Sequence, residues 1–409
     1  MRTNTPAKCL FAAAFAACLL LAGCVAPGPE AEAPAAEGDA IRYLSSNLPY
    51  GSGNEAGYYY FAKDENGNNL LRVVDYDTLQ DVPLCSQPNC AHGGETCPAW
   101  FAWGGTEPSV LAADDALYIL FPGAPWDGWA FETYGEKALP RILKCNTDGS
   151  GRQELARFGA SEAFASMPAA DGQNLYIILT DYSSASGPVE KIVTIGLASG
   201  AVSADESVQR TELSIADAWG RELILRSGTG RNYYAAYNVD TKELRDLGST
   251  DSTAAVGEGV LCCVDEATGA IRTVSVEDGG VTELATDLLA QCAPQWAKLA
   301  AVTEQGYVVQ ASGEDGYHNW LVDFEGRAVR QELQAESTEE RDHMRMLEIF
   351  ARQGEDYLVS PSRSFHTVLT PGPNGATYGE DVVDYAFALI SAKDFWSGTP
   401  NYRAVTRVG

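Results

Sequence analysis

A strand–strand–turn–strand unit recurs through the body of this chain, and no other feature restricts its fold as tightly. Short β-rich runs stand at residues 116–121 (ALYILF), 174–179 (NLYIIL), 222–226 (ELILR), 259–263 (GVLCC) and 306–310 (GYVVQ). Residues 58–61 (YYYF) and 356–359 (DYLV) read as the first and last members. Aromatic and branched side chains dominate these runs, as pleated strands prefer. Each run leads to a second strand that ends in a polar turn: 76–78 (YDT), 146–151 (NTDGSG), 198–200 (ASG), 238–242 (NVDTK), 277–280 (EDGG), 323–326 (DFEG) and 393–396 (KDFW). Gly, Asn and Asp suit such turns because they accept positive φ. A further short strand follows most turns, as at 281–284 (VTEL).

The unit returns every 40–50 residues or so, the length of a propeller blade. The expected fold is therefore all-β, a single β-propeller over residues 40–409 with about seven blades, six or eight being the neighbouring counts. Two intervals, 77–148 and 323–394, are long enough to hold insertions. Residues 41–50 are expected to pair with the last blade and close the ring. Ser337 and Glu340 have capping-box spacing and predict a short helix running to Arg345.

The N-terminus has a different character. Arg2 and Lys8 precede an unbroken apolar run, Cys9 to Ala22, that is shorter than the roughly 20 residues of a spanning helix. It fits the apolar region of a secretory signal. The run ends in Leu21-Ala22-Gly23-Cys24, which resembles the lipobox of bacterial lipoproteins. That resemblance implies a cleaved signal peptide over 1–23 and acyl chains, palmitate among them, on Cys24. Residues 24–39, rich in Pro, Ala, Glu and Gly, would follow as a flexible tether. The expected location is extracytoplasmic, lipid-anchored at the cell membrane, or at the outer membrane of a two-membrane cell because Val25 rather than Asp follows the cysteine.

The net charge of −28 excludes one partner class. Such a surface repels phosphate backbones, so nucleic acid is not expected as a partner.

The densest chemistry lies in residues 84–97, LCSQPNCAHGGETC. Cys85, Cys90, His92 and Cys97 form the ligand set of a closed tetrahedral zinc site, with Pro88, Gly93 and Gly94 placed to fold the loop round an ion. A disulfide competes, since bridges persist outside the cytoplasm. Past the signal and Cys24 there are seven cysteines, so they cannot all pair within the chain. Cys145, Cys262 and Cys263 sit in strand-like runs and read as small apolar residues. Cys292 is free to bridge to the cluster. Asp64 to Asp75 faintly resembles a calcium loop but lacks its glycine and its terminal glutamate, so a hairpin tip is expected.

The motif L-C-x-x-P-x-C-x-H-x4-C after a Tyr-rich strand resembles a family of bacterial β-propeller lipoproteins. Residues 47–51 (NLPYG) and 385–390 (YAFALI) fit the same likeness. The resemblance implies fold and location and names no substrate.

No P-loop, H-E-x-x-H or G-x-S-x-G pattern is present, and His92, His318, His343 and His366 form no local pair. Aromatics gather instead at Trp100, Trp103, Trp126, Trp129 and Tyr134, after the cluster and in the segment interrupting the next hairpin. As exposed rings they would suit a glycan, a peptide or an envelope protein, although burial within the insert is the more common fate of tryptophan. The sequence thus favours a membrane-anchored binding or scaffold module. The alternative is an envelope hydrolase or lyase with its active site at the propeller channel.

Overall fold

The structure, a computed structural model, describes residues 40–44, 51–113, 115–125, 128–208, 210–257, 259–292, 296–313, 316–337, 346–372 and 376–409. Cys24, the tether, Trp126, His343 and the helix expected over 338–345 lie outside them. Among the described residues no helix is long and apolar enough to cross a membrane.

Seven sheets, antiparallel but for a parallel edge pair in the first and the last, follow one another along the chain as the blades of a propeller. Blade 1 runs Ser52–Gly53, Gly57–Lys63, Asn69–Asp75 and Gln80–Pro83. Blades 2 to 6 follow the same order, with inner strands at Ser109–Ala112, Ala169–Ala170, Ser214–Trp219, Ala255–Gly257 and Trp296–Thr303. Blade 7 uses Ile349–Gln353, Asp356–Pro371, Thr377–Ser391 and Arg403–Ala404.

Middle strands explain the unbroken apolar runs. A blade is covered on both faces by its neighbours, so its central strands bury both sets of side chains. Leu117–Phe121 is buried throughout, and Asn174–Asp181 is buried but for its ends. Outer strands such as Val281–Leu284 face solvent and read as polar. Apolar cores fill the gaps between blades; one joins Leu120 and Ile142 of blade 2 to Ile177 and Val193 of blade 3, and another joins Tyr237 to Tyr176.

The polar turns form where expected at six of the seven sites. In blade 5, Asp278 Oδ1 accepts from the Gly280 amide at 2.8 Å, while Gly279 takes φ +73°. The exception is 393–396, which is helical as Ala392–Trp396. Ser391 caps that helix by accepting from the Asp394 amide at 3.0 Å, a Ser-x-x-Asp pattern the turn reading overlooked.

Ring closure also differs from expectation. Arg42–Tyr43 pairs with Ala169–Ala170, inside blade 3 rather than the last blade. Ile41 and Leu44 are apolar and drop into the cores on either side of that blade, which fixes the segment there. The ring is closed by Thr406–Arg407, which lies parallel to Gln80–Asp81 on the outer edge of blade 1. Beneath that junction Arg72, 1% exposed, donates to Asp81 Oδ1 at 2.9 Å and to the Val408 carbonyl at 2.9 Å. Tyr60 donates to the other Asp81 oxygen at 2.8 Å.

The two long intervals hold different things. The first contains the cysteine loop and, in blade 2, the helix Gly128–Tyr134 with the 3-10 turn Gly135–Ala138. The second contains an elongated hairpin: residues 362–371 pair with 377–386 and run on past the blade.

Candidate metal centre

The cysteine loop stands on one strand. Gln80–Pro83 and Trp100–Phe101 both pair with Asn69–Asp75, end to end, and residues 84–99 leave the sheet between them. The Leu84 amide donates to Leu71 O at 2.9 Å, and the Leu71 amide donates to Ala99 O at 2.7 Å. Both feet of the loop are thus held by one continuous ladder. Loop closure is entropically cheap when the ends are already fixed.

Within the loop, the Cys90 amide donates to Gln87 O at 3.3 Å, and Gln87 Nε2 donates to Thr96 O at 3.1 Å. The left-handed positions of the loop are Asn89 (φ 57°) and His92 (φ 52°). Asparagine tolerates this region; histidine does so at some cost in backbone strain. A Cβ at Gly94 would meet nothing within 4 Å, so that glycine is not required by space.

The four predicted ligands converge. Cys85 Sγ, Cys90 Sγ, Cys97 Sγ and a His92 ring nitrogen all lie within 4.8 Å of one another. Cys97 Sγ stands 3.5 Å from His92 Nδ1. A tetrahedral zinc ion with bonds of about 2.3 Å to sulfur and about 2.0 Å to nitrogen sets that edge at about 3.5 Å, so the residues fit the ion. Burial pushes the Cys97 thiol up to about 12, whereas the His92 amide beside Cys90 holds that thiol below its ordinary value. No two sulfurs of the seven described cysteines are bonded. Cys145 and Cys262 are buried in inter-blade cores, and Cys292 packs against the core between blades 5 and 6 rather than bridging to the loop.

The aromatic residues separate into two places. Trp100 donates its indole N–H to Asp64 Oδ2 at 3.1 Å and lines a cavity of about 230 Å³ with Phe101, Phe121 and Arg141. Trp103 turns the other way and lies under the Lys63 ammonium, 4.0 Å from its ring centre. Trp129 and Tyr134 pack edge to face within the blade 2 insert, and Phe131 is exposed beside them. The Asp64 loop is a hairpin tip: the carboxylate accepts from the Asn66 and Asn68 amides.

A cavity of about 910 Å³ is lined by Arg42, Tyr43, Glu55, Phe350 and Arg352 among others. Near Tyr43, burial raises the Asp217 carboxyl to about 6 despite a hydrogen bond from the Ala218 amide.

Sequence reasoning missed three groups. His366 Nδ1 lies 2.8 Å from Asp384 Oδ2 on the elongated hairpin. Glu107 is ion-paired to Lys63 at 2.5 Å. Asn69 is 1% exposed, and among the described residues neither its amide nitrogen nor its oxygen has a partner. None of these belongs to a local motif: the His366–Asp384 pair spans the two strands of one hairpin, and Glu107 meets Lys63 from another blade.

No family profile matches the chain, and no curated protein matches it. Solved structures share only the fold. A puromycin-hydrolyzing peptidase of Mycobacterium tuberculosis is 12% identical with a TM-score of 0.49, over 91% of this chain and 55% of the peptidase. The β-propeller domain of the Trilobed protease from Pyrococcus furiosus is 8% identical with a TM-score of 0.35, over 57% of this chain and 68% of that one. An oligogalacturonate lyase from Vibrio parahaemolyticus is 14% identical with a TM-score of 0.38, over 68% and 73% respectively. The chain thus spans about half the length of the peptidase.

Proposed function

We propose that this protein is an extracytoplasmic propeller, held at a membrane by lipid on Cys24, that serves as a binding or scaffold module for an envelope or extracellular ligand. In this reading Cys85, Cys90, His92 and Cys97 hold one structural zinc ion. The observation that carries it is the convergence of four soft ligands on an exposed loop. Four protein ligands complete a tetrahedral shell and leave no position for a reacting water, so such a centre supplies rigidity rather than hydrolysis. The three thiolates and the imidazole fix the loop's path from Leu84 to Ala99. That path positions Trp100 at the wall of the cavity it shares with Phe121 and Arg141.

Metal analysis of the purified protein tests the centre. The expected result is about one zinc ion per chain, lost in Cys90→Ala and His92→Ala. A metal-free protein whose cluster thiols react only after reduction would overturn it. Growth with labelled palmitate tests the anchor: label on the wild type and none on Cys24→Ala is expected, and equal labelling of both would contradict it.

A further inference from the structure

The cavity where the cysteine loop meets blade 2 gathers positive charge in a chain that has little of it. Acids outnumber bases by 56 to 28 over the whole sequence. The cavity holds about 230 Å³ and is lined by Phe101 of the return strand and Phe121 of blade 2. Both rings are buried, with centres 6.0 Å apart. Each carries a guanidinium: Arg152 stands 3.9 Å over Phe101, and Arg141 stands 3.9 Å over Phe121, its cross-strand neighbour. Stacking of this kind fixes the plane of an arginine and leaves its N–H edge free to donate.

Neither cation has an anion. The acids nearby are already paired, Glu95 with Lys137 at 2.8 Å and both Glu136 and Glu154 with Arg157. Arg141 donates from Nη1 to the Glu136 and Lys137 carbonyls, and Arg152 donates from Nη2 to the Pro98 carbonyl. Among the described residues neither guanidinium makes an ion pair, and their other N–H groups have no acceptor. Burial, and then the neighbouring Arg157, push the Arg141 guanidinium down to about 10, although Glu154 opposes them. A half-buried cation without a partner costs free energy that an entering anion recovers.

Size and lining narrow the ligand. At about 230 Å³ the space is smaller than the roughly 300–1,000 Å³ of drug-sized sites and suits one small ring. Trp100 and Leu143 supply apolar wall, and Asp64 holds the Trp100 indole in place before a ligand arrives. Guanidinium forks match the two oxygens of a carboxylate bidentately. We infer that this cavity is an anion site for a small ring-bearing carboxylate, a sugar acid or an aromatic acid, with the carboxylate between Arg141 and Arg152 and the ring against Trp100. The inference rests on the binding-module reading and names the ligand chemistry of one site within it. Glu95 of the cysteine loop lines the same cavity, so the metal centre and the anion site share a wall.

The test is saturation-transfer NMR titration of the full-length protein in detergent with glucuronate and, separately, benzoate. Saturable binding of at least one is expected, with a dissociation constant of about 5 mM or tighter, as ordinary ligand efficiency gives about ten heavy atoms. The one that binds identifies the ring as sugar or aromatic. The neutral counterparts, glucose and benzamide, should bind at least about tenfold more weakly. Arg141→Gln and Arg152→Gln should each lose about tenfold, one charged contact apiece. Arg152 is exposed, so its variant keeps the test valid if Arg141→Gln does not fold. No binding of either carboxylate, neutral ligands that bind as tightly, or unchanged affinity in Arg152→Gln would each overturn the inference. Zinc content and circular dichroism on the same samples separate the two ideas. Folded, zinc-loaded protein that ignores both carboxylates overturns the anion site alone; zinc-free protein that binds them overturns the zinc reading alone.

Discussion

Blades 1 and 5 are built from the same four-strand unit and held in different ways. Blade 5 is plain. Its strands Val260–Val264 and Ile271–Ser275 are joined by the Asp265 turn, its outer strand is exposed, and its buried Cys262 fills the core as a small apolar residue. Blade 1 receives three additions: the terminal strand Thr406–Arg407, the return strand Trp100–Phe101 and the loop of residues 84–99. It also buries an ion pair, Arg72–Asp81, which blade 5 lacks among its described residues. The difference shows where apolar packing alone suffices. Sequential blades are tethered by the chain and need only filled gaps; the blade that receives the far end of the chain uses directional hydrogen bonds to select one edge and one register.

If that contrast is right, the largest effect comes from the buried pair. Arg72→Ala strands Asp81 and removes the donors to the Val408 and Gly409 carbonyls, and should cost about 3–5 kcal/mol in denaturant unfolding. Thr273→Ala in blade 5, which loses only the exposed hydroxyl contact to Thr282, should cost under about 1 kcal/mol. Equal losses would break the comparison.

A smaller effect separates two acids of the plain blades by sign. Asp217, raised to about 6, prefers its neutral form in the folded state, so its unfavourable contribution is absent at low pH and grows as pH rises from about 4 to about 6. Asp217→Asn should remove that decline and stabilise the protein at pH 7 by about 1–2 kcal/mol, the shift being discounted for partial exposure. Asp265 is held below its ordinary value by the Thr268 amide and hydroxyl, so its favourable contribution is present above about pH 4 and is lost on acidification. Asp265→Ala should cost about 1 kcal/mol at pH 7 and progressively less as the pH falls below 4. Urea midpoints across pH check both, and a shared sign would contradict the assignment.

Removing metal by chelation should act locally. Amide exchange should rise in residues 84–99, whose feet at Leu84 and Ala99 remain paired to Leu71, and stay unchanged in blade 5. Exchange rising equally in both would show that the loop holds more than itself.

These contrasts also explain what the sequence reveals. The plain blades were legible because each is a local unit: a buried central run, an Asx turn and an exposed outer strand recur within a few tens of residues. The cluster was legible as a ligand set, since all four residues lie in one loop, but its backbone was not. Asn89 and His92 take left-handed positions that nothing in the ligand spacing marks. Ring closure was misplaced because a two-strand bridge such as 406–407 on 80–81 has no periodicity to detect. Asn69 looked like part of a hairpin tip. It is 1% exposed, and its main chain also pairs with Phe101 of the return strand, which no local pattern announces.

The central claim is that Cys85, Cys90, His92 and Cys97 form a closed zinc centre, and zinc-edge X-ray absorption on the purified protein tests it most directly. Three sulfur ligands near 2.3 Å and one nitrogen near 2.0 Å are predicted, with the signal lost in Cys97→Ala. A protein without zinc, or a zinc shell dominated by oxygen and unchanged by that substitution, would contradict the account.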